Sequence, residues 1–359
     1  MNGRKIIALV LIFVLTSSAV YPCTTFYFKD KKGNLYFGRN FDFPTGLGHI
    51  QINLRDQVKT SVTWPGKNEV QLKWISKYGS ISFNQNGREM PYGGMNEAGL
   101  VVEQMWLPET QYPSLDNRGG LTELQWIQYQ LDMCATVEDV INTDKILRIS
   151  SFSKAPIHFL VTDAKGNAAA IEYIEGKMTY YTGDSFKFCA LANDTYSSSA
   201  DYKLNKDAKG NKPYLKEREN SLERFYIASS MSKAFNSDKD KPVDYAFDIL
   251  KKVAQEPGTQ WSIVYDAANR KIYYRTAVNR AIRELSLSSF NFIGTGRRLY
   301  LDIDAMKNKP EDFLDFNFAV NKKLVLDVWN AVPFLKNNPP EEAAAIAEYP
   351  LTIKYKGDK

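Results

Sequence analysis

A strand pattern runs through Thr24 to Phe28, and another through Leu35 to Phe41. Polar, turn-forming residues separate them at Asp30 to Asn34, so the stretch predicts a hairpin. With its turn centred near Lys32, antiparallel pairing brings Cys23 back beside residues 39 to 42. A thiol, the Arg39 guanidinium and the Asp42 carboxylate then meet, whatever the remaining fold.

The pattern continues mainly as strand. His49 to Leu54 alternates, and Gln71 to Phe83 reads as a strand pair turning near Lys77 to Gly79. A tight turn at Asn96 to Gly99 precedes a strand from Leu100 to Trp106, which stops at Pro108. Helix signals begin at Thr122, an N-cap with Gln125 completing a capping-box pattern. Leu124, Ile127 and Leu131 fall on one face. A short helix over Val137 to Ile141 follows. Strands are then expected at Ile157 to Val161, Ala168 to Tyr173, Met178 to Tyr181 and Phe188 to Ala192. Lys203 to Lys216 is polar and reads as an exposed loop. Helices follow at Ser221 to about Phe235 and at Val243 to Val253. A second hairpin spans Trp261 to Arg275, and an Ala-rich helix runs over Glu341 to Glu348. Strands interleaved with paired helices predict sheets covered by helices in one layered domain.

The first residues read as a targeting segment. Arg4 and Lys5 precede an apolar run from Ile6 to Leu15, short for a membrane span. Ser17-Ser18-Ala19 suits cleavage after Ala19, which assigns 1–19 to a signal peptide and 20–22 to a pro-segment. Residues 23–359 then form one catalytic domain, exported to the periplasm or secreted. No second long apolar run follows, so stable membrane insertion is not expected. A net charge of +5, spread along the chain, gives no reason to expect a nucleic-acid partner. His49 and His158 stand in no motif, and neither metal-ligand spacing nor a phosphate loop is present.

Three cysteines are an odd number for an exported chain. Cys134 and Cys189 can pair with each other or stay buried and inert, which leaves the Cys23 thiol to be explained. An unperturbed thiol has a pKa of about 8.5 and needs help to ionise near neutrality. Arg39 can supply positive charge. If Cys23 becomes the first residue, its own α-amine (pKa roughly 7.7–8.0 unperturbed) can act as base, with Asp42 holding it.

Cys23 followed by strand, turn and Tyr36-Phe37-Gly38-Arg39-Asn40-Phe41-Asp42 resembles the choloylglycine hydrolase family, whose members include bile salt hydrolases and penicillin V acylases. Further blocks similar to that family are Gly94 to Leu100, Ala192-Asn193-Asp194, Ser221 to Phe225, and Trp261 to Thr276. The resemblance implies an α+β fold, the four-layer αββα sandwich of N-terminal nucleophile hydrolases, and hydrolysis of linear amides without metal or cofactor. It implies Cys23 as nucleophile and base, Asp42 as orienter of the amine, and Arg39 and Arg224 as charges around the thiol. It also implies an oxyanion hole made by the Asn193 side chain and the Trp106 backbone N–H. The expected partner is a small-molecule amide, and a homo-oligomer is expected by analogy alone. Trp106 stands where bile salt hydrolases carry Asn, which points away from bile salts. The competing reading is an exported or lipid-anchored binding protein that keeps the fold without turnover.

Overall fold

The computed structural model describes residues 22–62 and 67–357. The segment read as a signal peptide, and Val20 and Tyr21, lie outside the described residues.

Two large sheets face each other. The first has six strands in the order Ala190–Leu191, Thr24–Lys29, Leu35–Asp42, Thr259–Asp266, Lys271–Thr276 and Arg283–Ser286, all antiparallel. The second has nine: Lys177–Thr182, Ala168–Ile174, Ile157–Thr162, Val101–Trp106, Pro91–Asn96, Ser80–Asn84, His49–Asn53, Leu299–Asp302 and Leu314–Asp315. The opening hairpin forms with Thr24 opposite Asn40 and Thr25 opposite Arg39, the register expected from a turn centred on Lys32. Every residue of Leu35–Asp42 is buried, as suits a strand covered on both faces.

Eight α-helices are described: α1 Glu123–Met133, α2 Val137–Asn142, α3 Tyr196–Asp207, α4 Lys216–Ala234, α5 Pro242–Lys252, α6 Phe318–Ala331, α7 Pro333–Lys336 and α8 Pro340–Glu348. Helices α4 and α5 pack on the first sheet, and α1 packs on the second. The inner faces meet through aromatic rings, including Phe41 on Tyr92 and Phe83 on Tyr265. This is the four-layer αββα sandwich. Large apolar rings help fill the space between the sheets and hold the layers together.

Four local expectations are corrected. Lys73–Ile75 and Ser80–Asn84 do not form a hairpin. The first pairs with Gln57–Thr60, the second with His49–Asn53 and Pro91–Asn96. The backbone N–H groups of Lys77 and Tyr78 donate instead to the Asp132 carbonyl at the end of α1. Second, Lys203 to Lys216 is not a loop throughout. Its first part completes α3, whose N-cap Thr195 accepts from Ser198 N–H and whose buried side is Tyr196, Ser199, Tyr202 and Lys203. Third, the capping box at Thr122 is half formed. Thr122 accepts from Gln125 N–H at 3.0 Å, but the Gln125 side chain accepts from Val62 N–H at 2.7 Å. Fourth, the strand expected over Phe188 to Ala192 shrinks to Ala190–Leu191, an edge strand beside Thr25 and Phe26.

Candidate active site

The hairpin register sets the site. The ladder begins at Thr24 opposite Asn40, so Cys23 emerges beside Asp42. The Cys23 Sγ lies 3.9 Å from the Asp42 carbonyl oxygen. Burial pushes the thiol pKa up, while Arg39 and, more weakly, Arg224 pull it down. Burial prevails, so the thiol rests neutral and needs a base to react.

Arg39 is fully buried in the sheet interface. It pairs with Glu103 across the sandwich, Nη1 to Oε2 at 2.6 Å, and donates to the Gln104 carbonyl at 3.1 Å. Glu103 also accepts from the Tyr265 hydroxyl. Its own pKa is pushed up to about 7 by burial, against the pull of Arg39. Glu103 needs space that only glycine leaves. A Cβ on Gly93, its cross-strand neighbour, would stand 2.0 Å from the Glu103 Oε2. Sequence reasoning missed Glu103, because a buried partner on the other sheet leaves no local signature.

Asp42 is the terminal residue of its strand, opposite Thr259. The Thr259 hydroxyl donates to Asp42 Oδ1, while Oδ2 is buried with no hydrogen-bond partner. Burial pushes the Asp42 carboxyl up to about 7; the Thr259 hydrogen bond, Arg224 and Arg39 oppose this. An orphaned carboxylate oxygen beside Cys23 is a place where an ammonium group would be stabilised.

Arg224 projects from α4 and joins two chain segments. Its Nη1 donates to the Cys23 carbonyl and to Thr24 Oγ1, the latter at 2.6 Å. Its Nη2 donates to Asn193 Oδ1 at 2.8 Å. Because Arg224 only donates, the Asn193 amide is oriented with its nitrogen the other way. That nitrogen donates to the Trp106 carbonyl at 2.7 Å. The Asn193 backbone N–H donates to Ser221 Oγ at 2.9 Å. All six residues singled out from the sequence therefore gather at one end of the sandwich.

Two supports were not foreseen. His158 is fully buried, and its Nε2 donates to the Ala192 carbonyl at 2.8 Å, fixing the residue before Asn193. Glu172 accepts from Tyr196 N–H at 2.7 Å, just beyond it. On the other side, Arg218 pairs with Asp194 and, at 2.7 Å, with Glu109. His49 packs at a tilt against Tyr300, ring centroids 4.8 Å apart, and is not among the groups around Cys23. The three cysteines are all free, so the pairing of Cys134 with Cys189 is absent. Among the described residues no His, Cys, Asp and Glu cluster could hold a metal ion.

Cys23 opens on a small cleft. Its walls include Phe41, Phe43, Tyr92, Trp106, Leu124 and Phe334. The chemistry at hand is thus a thiol, a buried carboxylate and amide donors beside an apolar pocket.

A family of linear amide C–N hydrolases, the choloylglycine hydrolase family, matches residues 23–199, beginning at Cys23 itself. Over those residues the chain is similar to the choloylglycine hydrolase family. Like the family, it is a hydrolase acting on linear amide C–N bonds. It is 26% identical over 339 residues to a penicillin V acylase of Pectobacterium atrosepticum, covering 80% of this chain and 87% of that protein. Among solved structures it resembles penicillin V acylase from Agrobacterium tumefaciens, with a TM-score of 0.67 and 23% identity, over 82% of this chain and 98% of that one. It also resembles the conjugated bile acid hydrolase of Clostridium perfringens, with a TM-score of 0.63 and 18% identity, over 82% and 99%. These likenesses bear out the N-terminal nucleophile hydrolase fold expected for this choloylglycine hydrolase relative.

Proposed function

We propose that the protein is a cysteine amidase whose nucleophile is Cys23, acting as the first residue of a processed, exported chain. The observation that carries this reading is the buried, unpartnered Asp42 Oδ2 next to Cys23. Removal of the residues ahead of Cys23 creates an α-amine there, and Asp42 holds it. The amine takes the thiol proton, which suits a thiol that burial keeps neutral. The thiolate sulfur attacks the amide carbonyl, and the oxyanion is met by the Asn193 side-chain NH₂ and the Trp106 backbone N–H. The protonated amine then gives its proton to the leaving nitrogen, leaving a thioester on Cys23. Water, deprotonated by the same amine, clears it as a carboxylic acid. Arg39, already paired with Glu103, and Arg224, tied to Asn193, hold the charge balance and the alignment. No step calls for a metal or cofactor.

The apolar cavity receives the acyl side of the substrate, such as the acyl group of an N-acyl amide or of penicillin V. The test is intact-mass and N-terminal analysis of the exported protein, with a hydrolysis panel. A free amine on Cys23 and amide turnover lost in Cys23→Ser are expected. A chain that starts at Val20 or carries a lipid on Cys23 and still hydrolyses amides would overturn the proposed base.

A further inference from the structure

Burial opposes ionisation of the Cys23 thiol. Among the charges that favour it Arg39 acts most, with its side chain in hydrogen-bonding reach of the sulfur. The guanidinium has little freedom. The Gln104 carbonyl accepts from Nη2 at 3.1 Å, the Phe41 ring centroid lies 4.9 Å from Cζ, and Glu103 Oε2 stands 2.6 Å from Nη1. Arg39 and Glu103 come from opposite sheets, and both side chains are fully buried. Glu103 is held in turn. The Tyr265 hydroxyl donates to its Oε1, and the bare Gly93 leaves room for the carboxylate. Tyr265 is itself wedged edge-on between Phe37 and Phe83, with ring centroids 5.8 and 6.4 Å away.

Resting on Cys23 as the nucleophile, we propose that Glu103 is a positioning residue for it: from the opposite sheet it fixes Arg39 and offsets its charge, so that the thiol keeps its proton until the base takes it. A buried ion pair is a poor way to stabilise a fold, because desolvation consumes most of its Coulomb gain and an apolar pair of like size does as well. This pair stands where its charge balance bears on the reacting sulfur. The charged groups that act most on the thiol are Arg39, Asp42 and Arg224, and Glu103 is not one of them, so its influence runs through Arg39. A guanidinium without a counter-ion at that place would favour the thiolate before any base acted. A resting thiolate is the form that oxidants and alkylating agents attack. With Glu103 opposite, Arg39 can align the site without arming it.

The experiment follows alkylation of Cys23 by iodoacetamide, read by mass spectrometry of the Cys23 peptide from about pH 6 to about pH 9. It needs neither substrate nor a free amine, so its outcome is separate from whether amides are hydrolysed. Glu103→Gln should raise the rate at neutral pH at least about threefold and move the profile to lower pH. Arg39→Gln should lower the rate by a similar factor. In the Arg39→Gln background, Glu103→Gln should change nothing further, because burial keeps a carboxyl that has lost its cation neutral. Tyr265→Phe removes only the hydroxyl that, beside the larger effects of burial and Arg39, helps to ionise Glu103. It should shift the profile in the same direction by a smaller step, and it decides the matter if Glu103→Gln does not fold. Profiles of Glu103→Gln or Tyr265→Phe that superimpose on wild type would overturn the proposal and leave Glu103 a structural partner. An effect of Glu103→Gln that persists undiminished without Arg39 would overturn it as well. If the shifts appear and no amide is hydrolysed, the amidase reading fails and the electrostatic role of Glu103 stands.

Discussion

Two of the buried charge clusters among the described residues differ in what surrounds them. Around Lys59 the charges compensate one another away from any cavity, and only Glu89 Oε1 is left without a hydrogen bond. Asp132 receives Lys59 on both oxygens, at 3.1 and 2.9 Å, and also Trp74 Nε1 and Gln128 Nε2, each at 2.8 Å; Glu89 is the third member. Around Cys23 the orphaned oxygen has a nucleophile and open space beside it. Asp42 keeps one oxygen without a partner, and a nucleophile stands beside it on a cavity. Both clusters perturb pKa values, with Asp132 pushed up to about 6 and Asp42 to about 7, chiefly by burial. A perturbed carboxylate alone therefore does not mark a site. An unfilled hydrogen-bonding position next to accessible space does.

The comparison can be broken most decisively at the two centres. Replacing Cys23 with Ser should lower amide turnover by at least about a thousandfold while circular dichroism and melting temperature stay close to wild type. Replacing Lys59 with Met should do the reverse. It leaves Glu89 and Asp132 buried without their cation and should cost roughly 3–5 kcal/mol of stability, read in denaturant unfolding, with kcat per folded molecule retained. Loss of kcat without loss of stability would make the Lys59 cluster part of the site.

Asp42→Asn sharpens the contrast through pH. In a chain still carrying residues ahead of Cys23, the folded carboxyl holds its proton up to about pH 7, against an ordinary value of 3.8. Between these values the unfolded chain binds fewer protons, so wild-type stability falls as pH rises from about 4 to about 7. The Asn variant lacks that slope, so it should gain on wild type across this window in thermal melts at stepped pH. Freeing the Cys23 amine sets a cation beside Asp42 and should shrink the difference.

A smaller effect is expected from Thr259→Val. The Thr259 hydroxyl favours the ionised form of Asp42. Its loss should raise the Asp42 pKa, move the acid limb of kcat/KM to higher pH, and lower activity about tenfold at neutral pH.

The opening hairpin was legible because its register follows from local alternation and a turn of polar residues. Arg39 and Asp42 were found for the same reason. Glu103 and Thr259 were not: Glu103 meets Arg39 where one sheet packs on the other, and Thr259 meets Asp42 through pairing between strands distant in sequence. Helix α3 was hidden by composition. Tyr196–Asp207 is rich in Ser, Asp and Lys, and only its spacing of Tyr196, Ser199, Tyr202 and Lys203 betrays a buried side. Helix α6 carried a readable signal, Asn317 as N-cap and Leu324, Val325 and Val328 on one face, that the mixed C-terminal composition obscured.

The ladder of the first hairpin begins at Thr24, one residue after the nucleophile. Cutting the peptide bond ahead of Cys23 would unzip no strand pairing, and Arg224 would still grip the Cys23 carbonyl from the far side. On the proposed mechanism, assembly of the sandwich and arming of the thiol would thus be separable in time. The chain would complete its fold before processing, and a scission ahead of Cys23 would then free the amine without breaking any pairing of the hairpin.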